Sequence, residues 1–330
     1  MGAMDVMEVD RQIGEAGEAR LPCRLQETAR WLCQQLRTAE DWGYFGPTSA
    51  IWALHREACL GVGLGRALLL QLAHPWVAQA VVDHSAVRDR PLDRLVRTVV
   101  AAELLVFGSR RQADAVAARL RALHGRIRGI LPADVGAWRA GTLYRADDPD
   151  ALLWVLVTLL DTTLRVYEAS LGRLAERIVR AYLADAARLG ALLGVVGPVP
   201  ADRAALERYM GAMIGSGTVA VGPAAREVAT ALLHVPVLPS LSWRAYCALT
   251  RAVATAMLPE ELRAAYGPAF APHHPPLHWA GGALARALLP RLPRRLRDDP
   301  IAAIAIERAA HRGRPSEGAT RAPGMRSSSR

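Results

Sequence analysis

A histidine, two arginines and a threonine fall in helical register between Pro91 and Ile130. His124 lies within the apolar series Ala113, Val116, Ala117, Leu120, Leu123 and Ile127, whose steps of three and four mark one face of a helix. An imidazole on such a face is aimed at the interior. Arg94, Arg97 and Thr98 cluster on one side of the helix before it, because residues three and four apart are neighbours. That first helix carries Leu92, Leu95, Val96, Val99, Glu103 and Val106 along one face, and the two join at Phe107-Gly108-Ser109. A neutral imidazole can ligate a metal, guanidinium forks suit carboxylates, and a hydroxyl can donate a hydrogen bond. Together they are what an anionic, iron-bearing cofactor needs. Plainer roles stay open: a core hydrogen bond for His124, and an i, i+4 ion pair with Asp93 for Arg97.

Further candidates surround this set. Arg121 and Arg128 could hold the carboxylates of such a cofactor, or simply coat a solvated face. His74 and His84 are the other imidazoles in apolar company, and either could donate to dioxygen on the open side of an iron. Alternatively, His74 caps backbone where Pro75 opens or kinks a helix, and His84 caps the end of its own. Glu103 interrupts an apolar face, so it reads as a base or as the mate of an arginine.

The elements that must position these residues are helical throughout. Amphipathic or apolar helical patterns run over 22–37, 50–59, 68–82, 91–107 and 110–127, and again over 151–168, 171–193, 202–213, 223–234, 242–258 and 277–289. The stretch 131–150 reads as irregular, with Asp147 or Asp148 capping the next helix and Pro149 in its first turn. The apolar run from Ala151 places that helix at the centre of the fold, with Asp161 as a buried carboxylate that needs a cationic or backbone partner. Nowhere does period-two alternation persist, and no repeat appears. The expected fold is all-α, a single large helical-bundle domain with central buried helices over 21–311. A flexible arm at 1–20 and a disordered basic tail at 312–330 flank it.

Composition narrows the function. All 41 basic residues are arginine, and the net charge is +10. From Arg286 onward eleven arginines face four acidic residues, so the rest of the chain is close to neutral. No aromatic residues interleave with that basic end, which argues against nucleic acid and leaves room for weak attraction to an anionic membrane surface. No apolar run reaches the length of a transmembrane helix, since Asp150 and Asp161 bracket the best candidate. The four cysteines show no C-x-x-C spacing, which fits reduced thiols in a cytoplasmic protein. Gly61, Gly63 and Gly65 lack dinucleotide spacing and read as close helix packing. There is no G-x-S-x-G, H-E-x-x-H or P-loop, and no E-x-x-H pair for a di-iron site.

The runs GRALLLQLAHPWVAQAVVDHS, RLVRT, VFGS, LHGRIRG and DPDALLWVLVTLLDTTLRVYE, taken in this order, resemble the mpaB-type oxygenases, which include the latex-clearing proteins. The resemblance continues through LERYMGAMIGSG and RAVATAMLPEELRAAYG. It implies an all-helical oxidoreductase that binds haem b through one histidine and uses dioxygen to cleave a carbon–carbon double bond. An apolar, isoprenoid- or lipid-like substrate follows. By position His124 resembles the axial ligand, and Arg94, Arg97 and Thr98 match the family's Arg-x-x-Lys/Arg-Thr segment. The latex-clearing branch has lysine where this chain has Arg97, and a guanidinium stays protonated, so it cannot ligate iron. The alternative from another class is a non-catalytic helical protein that binds an apolar ligand or a membrane surface.

Overall fold

The computed structural model describes residues 21–85, 91–233, 241–270 and 283–312. The arm at 1–20 and the tail beyond Arg312 lie outside the described residues. In chain order come α1 (Leu21–Thr38), α2 (Ala50–His55), α3 (Leu64–Leu72), α4 (Pro75–His84), α5 (Pro91–Phe107) and α6 (Arg110–His124). A hairpin of β1 (Arg128–Ile130) and β2 (Leu143–Arg145) leads into α7 (Pro149–Leu171), α8 (Glu176–Leu193) and α9 (Arg203–Gly215). Then follow α10 (Pro223–Leu233), α11 (Leu241–Met257), α12 (Glu260–Tyr266), α13 (283–288), α14 (Arg294–Arg297) and α15 (Pro300–Arg312). The fold is predominantly all-α. Among the described residues no helix is long and apolar enough to cross a membrane.

Helices begin where a side chain can accept the first orphan N–H groups. Ser49 does this for α2, His74 for α4, Ser109 for α6, Asp148 for α7 and Asp202 for α9. Pro75 and Pro149 occupy the first turns of α4 and α7, where a missing N–H costs nothing. His74-Pro75 therefore opens a helix and does not kink one.

Helix α7 is the centre. Ala151, Trp154, Val157, Leu160 and Leu164 are buried, and so are Thr158, Asp161 and Thr162 on other sides of it. The Asp161 carboxylate accepts from Arg66 at 2.6 Å and from Arg165 at 2.9 Å. Arg66 also donates to Thr162 and to the Met257 carbonyl, so α3 ties α7 to α11. A Cβ on Gly63 would sit 2.8 Å from Val166 and 2.9 Å from Thr162, which is the close packing that the glycine run implied.

One hydrophobic cluster runs from Trp31 in α1 to Ala305 and Ala309 in α15. The end of the described chain is fastened to it by charge. Arg294 and Arg297 each reach the buried Glu57 at 2.6 Å, and Arg56 pairs with Asp298 at 2.6 Å. Arg308 donates to the Leu36 and Phe107 carbonyls, satisfying the C-terminal ends of α1 and α5.

The stretch 131–150 departs from expectation. Its residues 143–145 pair antiparallel with the three residues just before it, as Arg128↔Arg145, Gly129↔Tyr144 and Ile130↔Leu143. Three-residue strands are too short for period-two alternation to register. Of the helix expected over 277–289, residues 283–288 are helical and the first six lie outside the described residues.

Candidate functional site

Helices α5 and α6 form a hairpin that is locked at its turn and, among the described residues, only partly covered at its other end. Ser109 and Gln112 make a reciprocal capping box there, and Trp52 Nε1 donates to the Val106 carbonyl at 2.7 Å. Leu104, Val106 and Phe107 are buried beside the turn, with Ala113, Val116 and Ala117 facing them. Toward the open end, Leu95, Val96, Val99 and Leu120 are only half-buried, and Leu123 is 51% exposed. The expected inward stripe of α6 therefore fails over its last turn. His124 ends the helix half-buried, and Ile127 lies beyond it. Periodicity assumes that something covers the face along its whole length, and at Leu123 the described residues do not.

This end carries Arg94, Arg97, Thr98 and His124. Desolvation, and then the positive charge of Arg94, lowers the His124 pKa, while the Asp147 carboxylate acts in the opposite sense. The imidazole is thus held neutral, the form that ligates metals. Arg94 is exposed by surface area, yet protein crowds its guanidinium. Desolvation first, and the Arg97 charge second, lower its pKa. No carboxylate among the described residues pairs with Arg94. Arg97 and Thr98 are exposed, and the Thr98 hydroxyl donates back to the Arg94 carbonyl at 3.0 Å.

The other candidates divide. His84 Nε2 lies 3.0 Å from the Arg128 carbonyl and edge-on to Tyr144, so it braces the segment just past His124 and does not cap its own helix. Tyr144 donates to Asp83 at 2.6 Å, and its ring fills the space where a Cβ on Gly129 would stand. His74 is buried at the opposite end of α4, about 15 Å away by helical rise. Its Nδ1 accepts from the Trp76 N–H at 3.3 Å, and burial depresses its pKa to about 4. His74 and His84 therefore cannot both reach one bound dioxygen. Arg121 donates to the Leu192 carbonyl and closes the end of α8, while Arg128 reaches the Gly125 carbonyl at 3.4 Å.

Glu103 is nine residues beyond Arg94, which places it on the opposite side of α5. Among the described residues no arginine pairs with it. Its Oε2 is sealed without a hydrogen-bond partner among the described residues. Burial, and secondarily the Asp299 charge, pushes its carboxyl up to about 8. The residue that sequence reasoning missed at the site is Asp147. It was legible only as a possible helix cap, a role that Asp148 takes.

An apolar cleft of about 320 Å³ opens between α4 and α10, lined by Pro75, Ala78, Leu131, Pro132, Pro223 and Ala224. No group of three or more His, Cys, Asp or Glu side chains among the described residues could hold a bare metal ion.

A model of the family described as ER-bound oxygenase mpaB/B'/Rubber oxygenase, catalytic domain, matches residues 52–290. The chain belongs to this mpaB/rubber oxygenase family. No curated protein and no solved structure matches it significantly. The family span takes in α5, α6 and the β hairpin, and with them every candidate site residue. Helices α1, α14 and α15 lie outside that span. Membership in an oxygenase family fits a small-molecule substrate and dioxygen.

Proposed function

We propose that the protein is a haem b-dependent oxygenase that uses dioxygen to cleave a carbon–carbon double bond in an apolar, isoprenoid- or lipid-like substrate. One observation carries the reading: a neutral imidazole, His124, stands beside a crowded guanidinium, Arg94, that no described carboxylate compensates. A buried or crowded cation without a counter-charge is costly, and a propionate would relieve that cost.

The residues present fit such a group. His124 would be the protein's ligand to the iron, with the Asp147 carboxylate near enough for its charge to act on the imidazole. Arg94 would face a propionate, with Arg97 adding positive charge beside it. Arg97, being permanently protonated, would not cap the iron. Arg121 and Arg128, engaged with backbone carbonyls, would contribute charge only. His84 would be the nearer of the two other imidazoles to bound oxygen, and Thr98 would keep one lone pair for accepting. Haem, when bound, supplies the oxygen chemistry, and the protein supplies ligand, orientation and apolar surroundings. Three thiols, Cys33, Cys59 and Cys247, are free, which suits a cytoplasmic site.

The test is reconstitution with hemin followed by absorbance and circular dichroism. The wild type should gain a Soret band, and His124→Ala should lose it while keeping its helical content. A His124→Ala protein with an unchanged Soret band would overturn the assignment. The second reading, an apolar-ligand carrier without catalysis, draws on the cleft between α4 and α10. It predicts ligand uptake and no Soret band.

A further inference from the structure

The β1–β2 hairpin turns one face to the core and the other to solvent. Gly129 and Tyr144 face inward, and Tyr144 is buried. Arg128, Ile130, Leu143 and Arg145 share the outward face, because side chains alternate along a strand. Ile130 is 56% exposed and Leu143, its cross-strand partner, is 72% exposed. Directly opposed cations such as Arg128 and Arg145 repel each other unless an anion intervenes. Arg145 has Asp147 at 2.9 Å, and the Arg128 charge also acts on Asp147, yet no carboxylate among the described residues pairs directly with Arg128.

The charge around this face is one-sided. From Ala115 to Ala133 the chain contains no acidic residue, while Arg119, Arg121, Arg126 and Arg128 all fall within it. Arg121, Arg126 and Arg128 are exposed, and so is Leu123 on the last turn of α6. Exposed aliphatic tips among guanidiniums match the boundary between acyl chains and anionic headgroups. No exposed aromatic ring stands on the hairpin face to stack with a base. A second copy of the same surface would bring like charges together.

We propose that the outward face of the β1–β2 hairpin, with the arginine-bearing turn before it, docks on an anionic lipid bilayer. Ile130 and Leu143 enter the acyl boundary, while Arg126 and Arg128 remain among the headgroups. This does not rest on the haem reading, because it is tested with no oxygen chemistry at all. It would place His124, four residues before Arg128, close to the phase in which an apolar substrate dissolves.

The experiment is co-sedimentation of the full chain with vesicles of phosphatidylcholine alone and of an equal mixture with phosphatidylglycerol. The protein should pellet with the mixed vesicles and be released by high salt. Ile130→Ser with Leu143→Ser should weaken partitioning about tenfold, since each loses an apolar insertion. Arg126→Gln with Arg128→Gln should weaken it by roughly tenfold or more, at about fivefold per arginine. All four positions are exposed, so the variants should melt like the wild type, and a melting curve checks this. Arg321→Gln, Arg326→Gln and Arg330→Gln together serve as the control for the basic C-terminal residues, and this variant should bind within about twofold of the wild type. Wild-type binding by the hairpin variants overturns the proposal, and so does equal loss in the C-terminal control. Failure of the wild type to pellet with mixed vesicles overturns it as well.

Discussion

The Arg66 guanidinium and the Asp161 carboxylate meet at 2.6 Å, both of them buried, where α3 crosses the middle of α7. Such a pair is worth little against an apolar substitute, yet removing one partner strands the other. Arg66→Ala should therefore cost about 3 kcal/mol or more, because only the half-exposed Arg165 then balances Asp161. Arg66→Met with Asp161→Leu should recover most of that loss. Chemical denaturation of the single and double variants measures both effects, and additive losses would contradict this account.

Glu103 makes stability depend on pH in an unusual sense. Folded, it keeps its proton up to about pH 8, whereas an unfolded glutamate ionises near 4.5. Between these values the folded state binds more protons, so stability from this residue falls as pH rises. Glu103→Gln removes that dependence. It should melt a few degrees above the wild type at pH 8 and show a smaller gain at pH 5. A gain of equal size at both pH values would mean that ionisation is not the cause.

Arg94 and Arg97 should be unequal. Arg94→Ala should weaken hemin binding by roughly ten- to a hundredfold, the cost of one charge-assisted hydrogen bond. Arg97→Ala should cost less, since Arg97 is exposed. Arg97→Lys puts in the residue of the latex-clearing branch. Its ferric absorbance should gain low-spin character at high pH, where a neutral amine can form. An absorbance unchanged across the pH range would place residue 97 away from the iron.

Gly63→Ala should destabilise by about 1–3 kcal/mol, since the added methyl overlaps Val166 and Thr162. Val166→Ala in the same chain should restore part of the loss. Paired thermal melts decide whether the two changes compensate.

Much of the architecture could be read from the residues themselves. The run from Ala151 announced a central helix, Asp147 or Asp148 with Pro149 its start, and Asp161 its need for a cationic or backbone partner, which the structure supplies as Asp148 and Arg66. Pro75 left a helix start or a kink open, and the structure makes it a start. What stayed hidden depends on distant partners. Tyr144 over Gly129 makes a hairpin that no period reveals. Asp147 reaches the neighbourhood of His124 through a fold-back that spacing cannot encode. At the site, Arg94, Arg97, Thr98 and His124 do share one end of the helix pair, as their register suggested. The exposure of Leu123 and the backbone duty of Arg121 were not foreseeable, because both depend on what α8 and the solvent do there.

Arg308 reaches back to the Leu36 and Phe107 carbonyls from a helix beyond residue 290, where the family span ends. Part of what holds the molecule together thus lies outside the family span. A fragment trimmed to the matched span would lose the Arg308 donor to the Phe107 carbonyl at the turn. That turn sets where Arg94 and His124 stand relative to each other. The described helices outside the matched span thus brace the turn that positions the candidate site, and a chain borrowed without them would keep Arg94 and His124 but lose that brace.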